Sequence, residues 1–297
     1  MKIFCLLLTL IFFCSSCAKN DIVSENADST AINKNETNES LPLLKIVVGD
    51  VGKADFIVLS CEDEHMVIDC GYKKSYDYVE SVLNDLKITN LKYAVGTHPD
   101  KDHIGAMAKL IKNFSVGELY ISPHNNGSGE YEKMVERAEE KNVPIRFAAV
   151  GDVLTLGRAT LTTYSPDGGI LSLKDDNESS VVQMLSYGDF KMLFMADGQL
   201  ICESMLLSSG LDLSADVIKI AHHGSNKSST ENFLKAVGAK YAVISAGEDD
   251  GEVYPSDAVC EKIQDLGMEI YRTDRDGGIV LTTDGININF ERGYAPK

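Results

Sequence analysis

Positive charge is in short supply. The chain of 297 residues carries 28 Lys and Arg against 45 Asp and Glu, a formal net charge of −17, and removing residues 1–17 with their single Lys2 leaves −18. A protein that grips duplex nucleic acid without sequence preference presents a basic surface. The charge opposes that class, but it does not exclude a phosphodiester held chiefly by metal. Long apolar runs are also missing: Ile3 to Phe13 is too short to span a bilayer by itself, and no series of spanning segments follows it, so the chain cannot itself be a membrane channel. Cys61, Cys70, Cys202 and Cys260 include no C-x-x-C pair, and either two disulfides or buried thiols suit them. No internal repeat is visible. With 44% apolar and 7% aromatic residues the chain can still bury one sizeable core.

The front end is expected to lie outside that core. Lys2 and the run Ile3 to Phe13 read as a secretion signal over 1–17, ending in Cys14-Ser15-Ser16-Cys17. This end resembles a bacterial lipobox, which implies lipid on Cys17 and membrane anchorage, with plain secretion as the alternative. Residues 18–43 are polar and read as a disordered tether, so the folded domain is expected over 44–293.

Within the domain, Thr97-His98-Pro99-Asp100-Lys101-Asp102-His103-Ile104-Gly105 stands out. Leu91 to Val95 before it is a buried strand, and Ile104, Met107, Ala108 and Ile111 after it recur at helical spacing. Two imidazoles and two carboxylates at a strand end are costly for folding alone. Together they form a donor set for zinc, manganese or iron. A solvated turn with an Asp at the helix N-cap is the competing reading of this stretch.

Short strands and amphipathic helices surround the motif: Leu43 to Val48, Ala54 to Ser60 and Met66 to Ile68 as strands, a helix marked by Tyr76, Val79, Val82, Leu83 and Leu86, then Leu119 to Ile121 and a helix carrying Tyr131, Met134 and Ala138. Further strands are expected over 145–148, 153–156, 159–164, 181–187 and 191–195, a helix over 200–208 and a strand over 217–220. Acids and imidazoles therefore fall at three strand ends: at 98–103, at Asp197, and at His222 and His223. Four of the six His lie in these places, and the set can hold two cations with a carboxylate between them.

The sequence resembles the metallo-β-lactamase-fold hydrolases, and among them the soluble hydrolase domain of ComEC-type DNA-uptake competence proteins. The residues that carry the resemblance are Asp50-Val51-Gly52-Lys53-Ala54-Asp55 against D-V-G-Q-G-D, Ile68-Asp69-Cys70-Gly71 against I-D-x-G, and Thr97 to His103 against T-H-x-D-x-D-H. They continue with Asn177 to Val182 against N-x-S-L-V, Met195-Ala196-Asp197 against T-G-D, His222 to Ser225 against H-H-G-S, and Tyr271 to Gly278 against Y-R-T-D-x-x-G-x-I. The resemblance implies an α/β (α+β) fold, an αββα sandwich of two mixed sheets flanked by helices. It also implies two divalent ions, Zn or Mn, on His98, Asp100, Asp102, His103, Asp197 as bridge, and one of His222 and His223.

The expected chemistry is hydrolysis. A water shared by two cations is acidified from a pKa near ~16 towards ~7, giving metal-bound hydroxide. Asp102 can orient this nucleophile or ligate, and the non-ligating member of His222 and His223 can protonate the leaving group. Asn177 and Ser225 are candidate donors to the substrate. Asp100, in the place of a commoner His, enriches the site in oxygen and shifts its preference towards manganese. A further ligand His between the first motif and Asp197 is not evident, and Tyr254 stands where relatives have the His of G-H-P-S. The expectation is an exported phosphodiesterase or nuclease, acting on DNA during uptake or scavenging. The alternatives are a hydrolase of an envelope or small-molecule ester, and a catalytically weakened metal-binding protein. No protein partner is identifiable.

Overall fold

A computed structural model describes residues 41–249 and 251–297. The expected signal over 1–17, Cys17, and residues 18–40 of the tether lie outside the described residues. Leu41, within the expected tether, packs on the core, and the Pro42 carbonyl accepts a hydrogen bond from the Tyr187 hydroxyl.

The chain first lays down six strands of one sheet: β1 (Leu44–Val48), β2 (Phe56–Cys61), β3 (Glu64–Cys70), β4 (Asn90–Gly96), β5 (Ser115–Ile121) and β6 (Ile145–Phe147). It then builds a second sheet from β7 (Val153–Leu156), β8 (Ala159–Ser165), β9 (Val182–Tyr187), β10 (Phe190–Phe194), β11 (Val217–Lys219) and β12 (Tyr241–Ile244). A hairpin of β13 (Gly247–Asp249) and β14 (Glu252–Tyr254) follows, and β15 (Glu269–Arg272) completes the second sheet. Finally β16 (Gly278–Thr283) and β17 (Ile288–Tyr294) return to the first sheet, where β16 pairs antiparallel with β1 in the register Val48↔Ile279. The sheets have eight and seven strands, ordered β17-β16-β1-β2-β3-β4-β5-β6 and β15-β12-β11-β10-β9-β8-β7. Both are mixed: β3 to β6 are parallel, as are β10, β11, β12 and β15.

Alternation along the strands explains the layering. Ile46 and Val48, like Met66 and Ile68, point into a core shared with Leu161, Leu185, Met192 and Val217 of the other sheet. Their neighbours Val47 and Val67 face the opposite way, against Val79, Leu83, Leu110 and Met134 of the helices Tyr76–Asp85, Met107–Asn113 and Gly129–Glu140. The second sheet does the same: Leu193 and Ile218 pack on Cys202, Leu206, Phe233 and Ile263 of the helices Leu200–Ser208, Glu231–Val237 and Asp257–Asp265. Helix, sheet, sheet and helix make the αββα sandwich. Because both faces of these strands are buried, they read in sequence as unbroken apolar runs rather than alternating ones.

The helix after the first motif differs from expectation. It is two pieces, Lys101–Ile104 and Met107–Asn113. In a continuous helix the Ala106 N–H would donate to the Asp102 carbonyl. Here that carbonyl accepts from Asp55 N–H at 3.1 Å, and Ala106 N–H donates to the Gly71 carbonyl at 3.1 Å. The break ties two separate stretches, around Asp55 and Gly71, to the motif. The four described cysteines are free thiols, Cys61, Cys70 and Cys202 buried, so the two-disulfide alternative does not hold.

Candidate metal centre

The parallel strands of the two sheets end along one edge, and the titratable side chains lie at those ends: Asp69 at the penultimate position of β3, His98 after β4, Asp197 after β10, and His222 and His223 after β11. Crevices at the carboxyl ends of parallel strands are where α/β folds present their chemistry.

Asp197 is the hub. Its Oδ1 lies 3.3 Å from His103 Nε2 and 3.6 Å from His223 Nε2, and Asp102 Oδ2 is also 3.6 Å from His223 Nε2. Its Oδ2 lies 3.9 Å from His98 Nε2 and 3.7 Å from His222 Nε2, and Asp100 Oδ2 is 3.7 Å from His98 Nε2. All seven expected ligands converge. They divide into two sets, one on each oxygen of a single carboxylate. Both His222 and His223 face Asp197, one imidazole on each of its oxygens.

Strained backbone aims these groups. Ala196, His222 and His223 have φ of 46°, 49° and 55°, a region costing roughly 1 kcal/mol or more for a residue with a Cβ. Gly224 then turns at φ 80°, where an added Cβ would sit 2.2 Å from Pro255 Cβ. Asp100 occupies the N-cap of the short helix, yet its side chain caps nothing. The competing reading as a plain capping residue fails, because the carboxylate is turned towards His98.

Partners behind the imidazoles fix their orientation. His103 Nδ1 is 2.7 Å from Asp69 Oδ2, and the same carboxylate accepts from the Thr97 N–H at 2.9 Å and hydroxyl at 2.7 Å. His223 Nδ1 donates to the Ser245 carbonyl at 3.1 Å. Each arrangement leaves Nε2 turned inward, as ligand histidines require. Burial presses the His103 pKa down, but the carboxylates of Asp197 and Asp69 override it and hold the imidazole well above its ordinary value. Burial works to raise Asp197 and Asp102, and the surrounding histidines override it, so both stay below the usual carboxylate range. Burial lowers His222.

The residues fit divalent metal. Asp102, His103, Asp197 and His223 are all buried, with one donor atom of each within 4.8 Å of the others. His98 Nε2, His103 Nε2, His223 Nε2 and Asp197 Oδ1 are buried with no hydrogen-bond partner. Orphaned buried donors and acceptors cost roughly 1–3 kcal/mol each, which coordination would offset. The His and carboxylate composition suits zinc, manganese or iron.

Other expected residues behave differently. The Asn177 Oδ1 is buried without a hydrogen-bond partner, while Ser225 Oγ accepts from Lys227 N–H in its own turn. His124, between the first motif and Asp197, has its Nε2 2.6 Å from Asp176 Oδ1, within hydrogen-bond distance, and so lies away from the cluster. Three residues escaped the sequence reading. In the sequence Asp69 shows only in the I-D-x-G resemblance. Lys53 Nζ is 2.6 Å from Asp102 Oδ2 and sits 5.5 Å from the centroid of the Tyr254 ring. Lys219, fully buried, pairs with Asp55 at 3.0 Å. A lysine inside the buried strand run Val217 to Ile220 was the signal that could have exposed the last pair.

The family model described as the metallo-beta-lactamase superfamily matches residues 50–248, a stretch that contains every one of these ligands. The chain belongs to the metallo-beta-lactamase superfamily. It is 31% identical over 192 residues to the ComE operon protein 3 of Bacillus subtilis (65% of this chain, 24% of that protein), and 25% identical over 239 residues to the competence protein ComA of Neisseria gonorrhoeae (79% and 31%). The chain thus spans less than a third of the length of these curated relatives. Among solved structures, the metallo-beta-lactamase fold protein YhfI of Bacillus subtilis superposes with a TM-score of 0.53 at 14% identity, covering 82% of this chain and 100% of YhfI. CmlA, a diiron beta-hydroxylase from Streptomyces venezuelae, gives 0.52 at 12% identity over 78% and 53% of the two chains. These likenesses establish the fold. Superfamily members are generally hydrolases, and this chain carries a candidate Asp and His cluster. No described helix is long and apolar enough to cross a membrane.

Proposed function

We propose that this protein is a metal-dependent phosphodiesterase acting outside the cytoplasm on nucleic acid. One observation carries the reading: the two oxygens of Asp197 face two different imidazole pairs, each accompanied by an aspartate. Two divalent ions held by His98, Asp100, Asp197 and His222 on one side and Asp102, His103, Asp197 and His223 on the other would supply Lewis acidity and an acidified water for in-line displacement.

The chain's own groups complete the site. A cleft of about 340 Å³ opens beside the centre, lined by Lys53, Tyr72, Asp100, Lys101 and Asp102. Burial opposes the charge on Lys53, but Asp102 and Asp197 outweigh it and raise its pKa, so its ammonium is permanent at neutral pH. That ammonium donates to Asp102 and lies at the cleft wall, where it can bind an anionic phosphoryl oxygen. Tyr254, whose hydroxyl donates to Glu252 at 2.8 Å, backs Lys53 with its ring. Kinship with two competence proteins supports nucleic acid as the phosphodiester, and the apolar run Ile3 to Phe13 supports export with a lipid or secreted form.

The test is metal content per chain together with hydrolysis of bis(4-nitrophenyl) phosphate, with and without manganese or zinc. Two ions per chain, and loss of one ion and of turnover in His98→Ala, are expected. Two bound ions without turnover of this or any other ester would refute the hydrolase reading and leave a metal-binding protein.

A further inference from the structure

The cleft at the metal centre does not stop there. A second cleft of about 340 Å³ is lined by Tyr72, Lys73, Lys74, Lys101, Gly105, Glu130 and Asp249. It shares Tyr72, Lys101, Glu130 and Asp249 with the first, so the two form one groove leading away from the ligands. Lys73, Lys74 and Lys101 are exposed, have no carboxylate partner within ion-pair reach among the described residues, and all line this one groove. The Tyr72 ring gathers two of them, with Lys74 Nζ 5.0 Å and Lys101 Nζ 6.0 Å from its centroid.

The strip is built onto the metal motif rather than hung near it. Lys101 lies between the ligands Asp100 and Asp102, and the Gly71 carbonyl accepts the Ala106 N–H that the broken helix releases. Gly105 permits this approach: a Cβ there would stand 2.7 Å from Lys73 N and 2.2 Å from the Lys101 carbonyl oxygen.

We infer that Tyr72, Lys73, Lys74 and Lys101 form a subsite for the flanking phosphates of a single nucleic-acid strand whose scissile group lies at the Asp197 centre. The inference rests on the phosphodiesterase reading and deepens it. A narrow cationic strip with Glu130 and Asp249 on its walls matches the backbone of one strand, which proteins track electrostatically, and is too small to neutralise a duplex on a protein of net charge −17. Nothing in the strip reads a base, so sequence preference is absent.

Binding is measured by fluorescence anisotropy of a labelled oligothymidylate of about twelve nucleotides, on the full chain in excess EDTA, from about 50 to 200 mM salt. Substituting Lys73→Gln, Lys74→Gln and Lys101→Gln together is expected to weaken binding about tenfold and to lower the slope of log affinity against log salt by about two, at roughly 0.7 per lost lysine. Glu130→Gln is expected to tighten binding about twofold, a gain that misfolding cannot produce. Absence of binding by the unsubstituted protein, an unchanged triple variant, or an equal loss on substituting the remote Lys87, Lys141 and Lys240 with Gln would overturn the subsite. Equally tight binding of a duplex would overturn its single-strand character. Turnover of bis(4-nitrophenyl) phosphate by the unsubstituted protein separates the two readings: oligonucleotide binding without any turnover keeps the strip and removes the hydrolase, and turnover without oligonucleotide binding does the reverse.

Discussion

Lys53 and Asp102 share a hydrogen bond of 2.6 Å at the edge of the metal centre, and the Asp102 oxygen that accepts it is the one 3.6 Å from His223 Nε2. One contact thereby holds a candidate ligand oxygen and the ammonium at the cleft wall. Lys53→Gln is expected to keep the parent's metal content and to lose about 10²-fold in kcat/KM on a phosphodiester, the usual effect of removing one preorganised electrostatic group. Metal analysis and steady-state kinetics on the same preparation check this. A lost ion with the lost activity would assign Lys53 to assembly of the site instead.

Asp69 acts through His103. Asp69→Asn retains an acceptor for Thr97 but no longer supplies a carboxylate at His103 Nδ1, 2.7 Å away. Affinity for the ion bound by His103 should fall about 10- to 100-fold, the range seen when the partner behind a ligand histidine is removed. Titration against a competing chelator reads this directly.

Lys219 and Asp55 form a buried pair, 1% and 2% exposed, that joins β11 of one sheet to the loop before β2 of the other. Lys219→Met leaves a buried carboxylate without its counter-charge and should destabilise the fold by about 3–5 kcal/mol in urea denaturation. Adding Asp55→Leu should cost less than the sum of the two single changes, because the stranded charge is then gone.

Glu64 on β3 accepts from Lys92 Nζ at 2.7 Å and from the N–H of Gly157 in the β7–β8 turn, clasping one sheet to the other. The Lys92 hydrogen bond first, and the Gly157 N–H second, hold its carboxyl below the ordinary glutamate value of 4.5. A folded-state pKa below the unfolded one contributes stability above the unfolded value and loses it as pH falls through the folded value. Glu64→Gln should therefore destabilise by about 0.5 kcal/mol at neutral pH, a small figure because the side chain is 38% exposed, and by nothing once the pH lies below Glu64's folded pKa. Urea midpoints across the acid range test the trend.

What the sequence determined by itself is the chemistry at the strand ends. His98, Asp102, His103, Asp197, His222 and His223 are polar groups costly to bury without purpose, and their placement with Asp100 after apolar runs marked the strands and a candidate metal centre together. The two-layered sheet order was legible through the ordered motifs, and individual strands through their apolar runs. Tertiary structure alone decided the rest, because these features depend on contacts between residues far apart in the chain. β1 finds β16 across the whole domain, the helix after the motif breaks because Asp55 and Gly71 take its hydrogen bonds, and Asp69 becomes the support of His103. The same holds for His222 and His223: adjacent in sequence, they look like one ligand and one spare, until left-handed backbone at both turns each imidazole to a different oxygen of Asp197. Local patterns report which groups a chain must hide, whereas the direction in which each side chain points is set by backbone geometry that only packing can impose.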